Sequence, residues 1–597
     1  MKSSFLFPVM LFLSPAIHAQ YSSTRSQTTT VIEQVICYTF YDLQTNGSTG
    51  NRLLHNSDGT LSAAFAFSPN ADNLPTSFPD RGTGYAYYDG VQWNLCANTR
   101  IEPARTGSPA IAVTETGKEI ILAHTGTEIG MSWRPQKGTG AWTFTHPFGT
   151  GNTDFWPRII SGGSNGETLH AIWTGSDGTA FVHGQRGPLF YSRSTNGGVT
   201  WQVNRSIIPQ LDSSHFIGFA SDSYSIDCSA DTVAIAYSGP YFGVGFVKSV
   251  NGGLSWTNTT VLPFPVANYQ WFSDALTTDT NADGIADTVL IANRDPHILI
   301  DHQGMCHVWF STSRYQDAST SFDGGVFVGG NALYYWNETM AAGHPVSIEQ
   351  VQDFNGNGHL DLPLSHACFL PYGKYMYGSL IEMPSAGIDA SGNLFVAYQA
   401  IDELADTAYY SQAHKHIYLI TSTDNGQTWS YPFDIVPDTL SGGNGEYQEA
   451  AYTSIARFVD QHVYILYQRD LYPGNALGTG CDQANNYGNT SDLIIADVQA
   501  GTLGIGSSNQ SRDKFHVSQN YPNPSRSSCA IDIQFTQNEN FKLTVRDISN
   551  RVIYLENRSS PSGKVKITLP TAGWPAGIYF YNVACTEGNV MKKMIVE

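Results

Sequence analysis

Two alternating apolar runs separated by a turn of Gly, Asp or Asn recur along this chain, and no other feature constrains its fold as strongly. The pattern occupies Leu53 to Phe65 (turn Asp58-Gly59), Ile111 to Leu122 (Gly117), Ile159 to Trp173 (Gly162 to Gly166) and Ile226 to Tyr237 (Asp231). It returns at Ile298 to Trp309 (Gly304), Ile388 to Tyr398 (Gly392) and Ile455 to Tyr467 (Asp460). Period-two alternation interrupted by turn residues is the signature of a hairpin. The copies begin roughly 50 to 90 residues apart, which leaves room for a four-stranded sheet plus loops. Sheets repeated about an axis leave few edges exposed. The expectation is an all-β chain whose residues 20–500 form a six- or seven-bladed β-propeller. A row of separate sandwiches would show linkers between units, and none is evident before residue 500.

Charge narrows the partners. With 31 Lys+Arg against 51 Asp+Glu, the formal net charge is -20. A nucleic-acid binder needs a dense cationic face to release counterions, so no nucleic acid is expected as a ligand. The first residues carry Lys2, an apolar stretch from Phe5 to Ile17 and a small residue, Ala19, before Gln20. That order predicts a cleaved secretory signal over 1–19. The stretch is too short for a bilayer and contains Pro8 and Pro15, and no other segment is apolar enough to be a transmembrane span. The eight cysteines include no CxxC pair, which speaks against a zinc or thioredoxin-type site. Cys529 and Cys585 stand alone in the last segment, where a bridge and two packed thiols are both open.

A second repeat is more specific. Ser194-Thr-Asn196-Gly-Gly198-Val-Thr200-Trp201, Ser249-Val-Asn251-Gly-Gly253-Leu-Ser255-Trp256 and Ser422-Thr-Asp424-Asn-Gly426-Gln-Thr428-Trp429 share one spacing. In such an octad an Asx side chain caps backbone amides, Gly takes positive φ, and Trp packs beneath the turn. Asp89-Gly90-Val-Gln-Trp93 and Ser321-Phe-Asp323-Gly-Gly325 are worn copies. The octads resemble the Asp-box (BNR) repeat of sialidase-like propellers, in which the boxes are structural and lie away from the catalytic mouth.

That resemblance implies an arginine triad for a substrate carboxylate, a Tyr nucleophile backed by Glu, and an Asp acid/base. A guanidinium matches a carboxylate in a two-pronged geometry, and a nearby carboxylate can take a phenol proton. Arg52, ahead of Gly59-Thr60-Leu61, fits the register of the family's first arginine, although the flanking aromatic and proline are missing. Tyr452-Thr453-Ser454-Ile455 followed by Leu466-Tyr467-Gln468 resembles the segment bearing the nucleophile. The resemblance therefore makes Tyr452 the nucleophile candidate, with Glu446 or Glu449 as its base and Asp80 as acid/base. Gln468 stands where a Glu orienting the first arginine is expected. Arg158, Arg294 and Arg457, next to strand starts, are candidates for the other two arginines. A sialidase-type exo-glycosidase is one reading. The other is a non-catalytic surface propeller with a degenerate site, holding a glycan or glycoprotein ligand on loop aromatics such as Trp133, Trp156, Tyr241, Trp271, Tyr375 and Tyr377.

Two loops have the donor spacing of a hard-cation site. Asp279-Thr-Asn281-Ala-Asp283-Gly284-Ile-Ala-Asp287 places oxygen donors at alternate positions before a glycine turn and a further carboxylate. Leu290 stands where a full EF-hand has its Glu, so the loop resembles the shorter calcium loops of thrombospondin- and dockerin-like repeats. Asp353-Phe-Asn355-Gly-Asn357-Gly358-His-Leu-Asp361 repeats the scheme with fewer charges. The expected cofactor is a structural calcium ion.

After a linker at 501–513 the pattern changes. Residues 514–597 read as a small β-sandwich with strands at Ala530 to Phe535, Phe541 to Val545, Val552 to Leu555, Val565 to Leu569 and Gly577 to Tyr581. Asn520-Tyr-Pro-Asn-Pro524 with a terminal Gly577-Ile-Tyr and Lys592-Lys-Met resembles the C-terminal sorting domain of type IX secretion. The resemblance implies an encounter with the type IX machinery, crossing of the outer membrane by way of the periplasm, and release or attachment at the cell surface.

Overall fold

The computed structural model describes residues 31–596 apart from 72–77, 176–180, 240, 268, 270–275, 319–324, 328–329, 331, 353–359, 361–378, 404–411, 437–447, 478–485, 487, 504–514, 519, 536–537, 548–551 and 586–587. The expected signal segment, 1–19, lies outside them. The chain divides into two compact units, within Tyr21–Ile505 and within Gly506–Glu597.

Each of the seven hairpins read from the sequence is the innermost strand pair of a sheet in the larger unit. Leu53–His55 and Leu61–Phe67 begin the first sheet, and Gly82–Tyr88 and Trp93–Asn94 complete it in chain order. The second runs from Gly107–Val113 through Glu119–His124 and Ile129–Arg134 to Thr143–Thr145, and the fourth from Tyr224–Ser229 to Thr257–Leu262. The last is different. Its order is Val31–Thr39, Ser491–Gln499, His462–Asp470, Glu449–Ile455, so the first strand of the unit is the outer strand of the last sheet.

Side-chain packing shows that these sheets form a ring. Ala64, Ile111 and Ile121 join the first sheet to the second, and Ile120, Met131, Ile159 and Trp173 join the second to the third. Tyr191 and Tyr237 share the next core, Phe246 and Val308 the one after, and Trp309 and Tyr398 the fifth. Ile417 and Ile465 fill the sixth, and Phe65, Ala456 and Leu493 close the cycle from last sheet to first. Among the described residues of the larger unit, seven sheets of four or more strands and the cores they share make a closed β-propeller. A disulfide latches the closure: Cys37, in the strand Val31–Thr39, bonds Cys96, just beyond the outer strand of the first sheet, with Cα atoms 5.4 Å apart.

The octads lie between the third and fourth strands of their sheets, at the perimeter. In each, the leading serine hydroxyl donates to the Asx oxygen and accepts the glycine amide four residues on; the glycine bond is 2.9 Å at Gly198, 2.9 Å at Gly253 and 2.8 Å at Gly426. The Asx oxygen also accepts the amide of Thr200, Ser255 or Thr428. Trp201 packs on Phe148, in the turn after Thr143–Thr145, while Trp256 packs on Tyr191 and Trp429 on Tyr335, each of these two in the neighbouring sheet. Gly253 and Gly426 have positive φ, and a Cβ there would strike the hydroxyl of Tyr191 or Tyr335 within about 2 Å. Only glycine fits both constraints.

The smaller unit is a two-sheet sandwich. One sheet orders Phe515–Val517, Ser528–Phe535 and Gly563–Pro570; the other orders Val552–Ser560, Glu539–Asp547, Gly577–Cys585 and Gly588–Val596. Alternate residues Cys529, Ile531 and Ile533 meet Leu543, Val545, Tyr581 and Val583 in its core. Cys529 and Cys585 lie in different sheets and neither is in a disulfide, so the bridge left open by the sequence is not made. The Asn-Tyr-Pro-Asn-Pro segment is stitched to two strands: Tyr521 exchanges backbone bonds with Ala530, and Asn523 Oδ1 accepts the Ile595 amide at 2.8 Å.

Candidate functional site

The innermost strand of each sheet faces the propeller axis, and four of these strands share a distortion at the same end. The pairing register slips between Gly107 and Ala110, Phe155 and Arg158, Glu382 and Ser385, and Ala451 and Ser454. Ser108, Trp156, Met383 and Tyr452, inside these bulges, have φ between 49° and 63°. Bulges of this kind redirect side chains at the rims of barrels and sheets. Pro109, Pro157 and Pro384 follow three of the left-handed residues, and proline suits a bulge because it offers no amide to the ladder. Arg52 and Arg158 stand one residue before Leu53 and Ile159, in equivalent registers of the first and third sheets.

The two arginines are gathered into one buried polar network. Arg52 is 2% exposed; its Nη1 donates to Gln44 Oε1 at 3.1 Å and its Nη2 to the carbonyl of Tyr452, 400 residues away in sequence, at 2.5 Å. Burial, then repulsion from Arg158, pulls its guanidinium down to about 9. Arg158 donates from Nη2 to Asp222 Oδ1 at 2.9 Å and to the carbonyl of Ser48 at 2.6 Å. Asp222 Oδ2 in turn accepts the Thr45 hydroxyl and the Asn46 amide. Ser48 Oγ donates to the carbonyl of Pro296, and a Cβ on Gly47 would lie 2.3 Å from the carbonyl oxygen of Arg294. Residues 44–50 are therefore threaded between the inner strands of the first, third, fourth and fifth sheets. They occupy the end of the hub where Arg52, Arg158 and Tyr452 converge.

Tyr452 is fully buried, and its amide donates to Gln399 Oε1 at 2.7 Å. Burial, followed by the charge of Asp42, holds its phenol well above the ordinary tyrosine range. The carboxylates whose charge acts on it are Asp42 and Glu382. Glu449 is elsewhere, its Oε2 accepting the Lys415 amide at 2.5 Å, and Glu446 lies outside the described residues. Gln468 does not touch Arg52 directly: it accepts from Gln44 Nε2 at 3.1 Å, and Gln44 orients the arginine. Asp80 sits exposed in a turn, bonded to Asn70 Nδ2 at 2.8 Å. Arg457 is taken by Asp227 Oδ1 at 2.7 Å and by the carbonyl of Ile300.

Sequence reasoning missed Asp222, Asp295 and Glu382. A signal for two of them was present: Pro109, Pro157 and Pro296 each stand two residues ahead of Ile111, Ile159 or Ile298, the first apolar position of a hairpin, and Pro384 stands four ahead of Ile388. That repeated proline marks the bulged hub register and would have flagged Asp295 and Glu382. The two carboxyl groups line a cavity with Asn46, Gly47, Asn293, Arg294 and Met383, with room for about one water molecule. Glu382 Oε1 accepts from Lys415 Nζ and from Gln399 Nε2. Asp295 accepts the Met383 amide and the Ser311 hydroxyl, while burial, outweighing these bonds and joined by the charge of Glu382, raises its carboxyl to about 6.

The folded state thus keeps the Asp295 proton up to about pH 6, while an unfolded chain releases it near 3.8. Stability from this group is fully present below pH 3.8 and is lost as pH rises to about 6. Wild type is expected to lose about 3 kcal/mol relative to Asp295→Asn between pH 4 and pH 7. Urea melts at one-unit pH intervals measure this; parallel stability curves for the two proteins would contradict it.

Among the other predicted aromatics, Trp156 packs on His124 and Phe155, Tyr241 on Tyr269 and Tyr315, and Trp133 lies under Lys118. Trp271, Tyr375 and Tyr377 lie outside the described residues. In the first predicted cation loop, Asp279 accepts the Asp283 and Gly284 amides, Asn281 the Asp283 amide, and Asp283 the Ile285 amide. Asp287 accepts the amide and hydroxyl of Thr280. The second loop, Asp353, Asn355, Asn357 and Asp361, lies outside the described residues.

Comparison with known proteins identifies the tail. Residues 519–597 match the family model of the Secretion system C-terminal sorting domain. No curated protein matches the chain. Solved structures similar to it include a Trypanosoma rangeli sialidase in complex with the inhibitor DANA, at 11% identity and TM-score 0.35, over 94% of this chain and 89% of that one. The NanB sialidase from Streptococcus pneumoniae has 12% identity and TM-score 0.36, over 79% and 71%. A protein of unknown function from Dyadobacter fermentans has 10% identity and TM-score 0.35, over 78% and 99%. The chain is an exported β-propeller carrying a C-terminal sorting domain. Its tail is that of the type IX route, which delivers it to the cell surface or the medium. Among the described residues, no helix is long and apolar enough to cross a membrane.

Proposed function

We propose that the propeller works outside the cell as a binding body for a glycan or glycoprotein, and that it is not a sialidase-type hydrolase. The observation that supports this reading most is the threading of residues 44–50 through the hub. A carboxylate clamp needs guanidinium N–H groups aimed at open space, yet Arg52 and Arg158 direct their Nη groups at Gln44, Asp222 and the carbonyls of Tyr452, Ser48 and Pro157. A tyrosine nucleophile needs substrate access and a base that lowers the cost of ionisation. Tyr452 is fully buried, and its environment opposes the phenolate.

Purified protein is expected to release no sialic acid from a fluorogenic sialoside between pH 4 and pH 8. Turnover that Tyr452→Phe abolishes would overturn the proposal and restore the hydrolytic reading. Binding is checked on a glycan array and by capture of desialylated and sialylated glycoproteins; failure of both would leave the propeller without its proposed ligand class.

A further inference from the structure

The sixth sheet carries a cluster that the hub does not use. His416 lies in the strand Lys415–Ser422, between Leu394–Ile401 on one side and Phe433–Asp434 on the other. Ala400 is its cross-strand partner in the first ladder, and Tyr418 pairs with Asp434 in the second. Side chains two residues apart on a strand share a face. Asp402, two beyond Ala400, and Asp434, opposite the residue two beyond His416, therefore flank the imidazole diagonally on one face. The structure bears this out: His416 Nδ1 lies 2.8 Å from Asp434 Oδ2 and 3.9 Å from Asp402 Oδ2. One ligand atom from each residue falls within 4.8 Å of the others, and among the described residues this is the one group of His, Cys, Asp and Glu to do so.

We propose that Asp402, His416 and Asp434 bind a divalent transition-metal cation of the zinc class. The His416 ring is fully enclosed, its Nε2 has no hydrogen-bond partner, and Glu449 adds a third negative charge acting on it. With Glu449 counted, the three carboxylates around one imidazolium carry a net charge of -2, whereas the same carboxylates with a neutral imidazole and a divalent ion carry -1. Burial of an uncompensated charge is costly, so the enclosed position favours the second state. Zinc coordinated at about 2.0–2.2 Å holds its ligand atoms roughly 3.4 Å apart, between the two distances observed here. Imidazole as a ligand selects zinc-like ions over calcium, which takes oxygen donors alone. The site is distinct from the predicted calcium loops in both place and chemistry.

Binding replaces the proton on Nδ1 by the metal. The expected result of titrating the metal-stripped, full-length protein with zinc chloride is a site of unit stoichiometry that releases about one proton at pH 7, read by calorimetry in buffers of different ionisation enthalpy. Millimolar calcium should not compete. His416→Gln and Asp434→Asn should each weaken zinc binding on the order of 100-fold while leaving the far-ultraviolet spectrum intact. If either variant does not fold, Asp402→Asn provides the same comparison. Absence of zinc binding by the wild type, or undiminished binding by the folded variants, overturns the proposal and leaves a buried aspartate–imidazolium–aspartate array.

Discussion

Replacing Asp222 by alanine is expected to destabilise the propeller by about 3–5 kcal/mol, the range for stranding one member of a buried ion pair. Arg158 and Asp222 are 4% and 0% exposed at their side chains, so the remaining guanidinium cannot recover its solvation without moving. The same substitution removes the acceptor of the Thr45 hydroxyl and the Asn46 amide. Residues 44–50 should accordingly lose protection from hydrogen exchange, while the perimeter octads keep theirs. Asp222→Asn, which retains an acceptor but not the charge, should fall between. A loss below about 1 kcal/mol in chemical denaturation, with no change in exchange at 44–50, would show that the ion pair does not hold the segment in place.

The second large effect belongs to the latch. Cys37 and Cys96 are separated by 59 residues, and closing a loop of that length restricts the unfolded chain by an amount worth about 4 kcal/mol. The bridge also joins the strand that completes the last sheet to the first sheet, so its loss acts where the ring is closed. Cys37→Ser with Cys96→Ser is expected to lower the denaturation midpoint by that energy, and a reductant should lower the wild type similarly while leaving the double variant unaffected. An unchanged midpoint under reducing conditions would defeat this account.

These two devices differ in how far the sequence foretold them. The propeller was legible because period-two alternation and Gly or Asp turns are local, and each hairpin announces itself within about fifteen residues. Arg52 was flagged only by its resemblance to a family motif, and Arg158 only as one of three arginines next to strand starts; the hydrogen bonds of both lie with residues distant in sequence. Asp222 was not flagged at all. It precedes a strand in a left-handed conformation, its partners lie at 45, 46 and 158, and no spacing rule links them. The base proposed for Tyr452 was sought within a few residues of it, whereas the charges acting on the phenol come from Asp42 and Glu382. Cyclic closure brings sequence-distant strands together, and proximity in the chain is a poor guide at the axis. The latch was hidden by arithmetic, since eight cysteines allow 105 complete pairings and the one observed joins residues whose contact exists only once the ring has closed.

The order of strands in the last sheet also governs how the molecule bears load. Ser491–Gln499, the strand that leads toward the sorting tail, has a neighbour on each side, Val31–Thr39 and His462–Asp470. Tension applied along that strand from its C-terminal end must shear two hydrogen-bonded ladders together, where an outermost strand would be held by one. A propeller pulled by its tail is thereby gripped through two ladders rather than one.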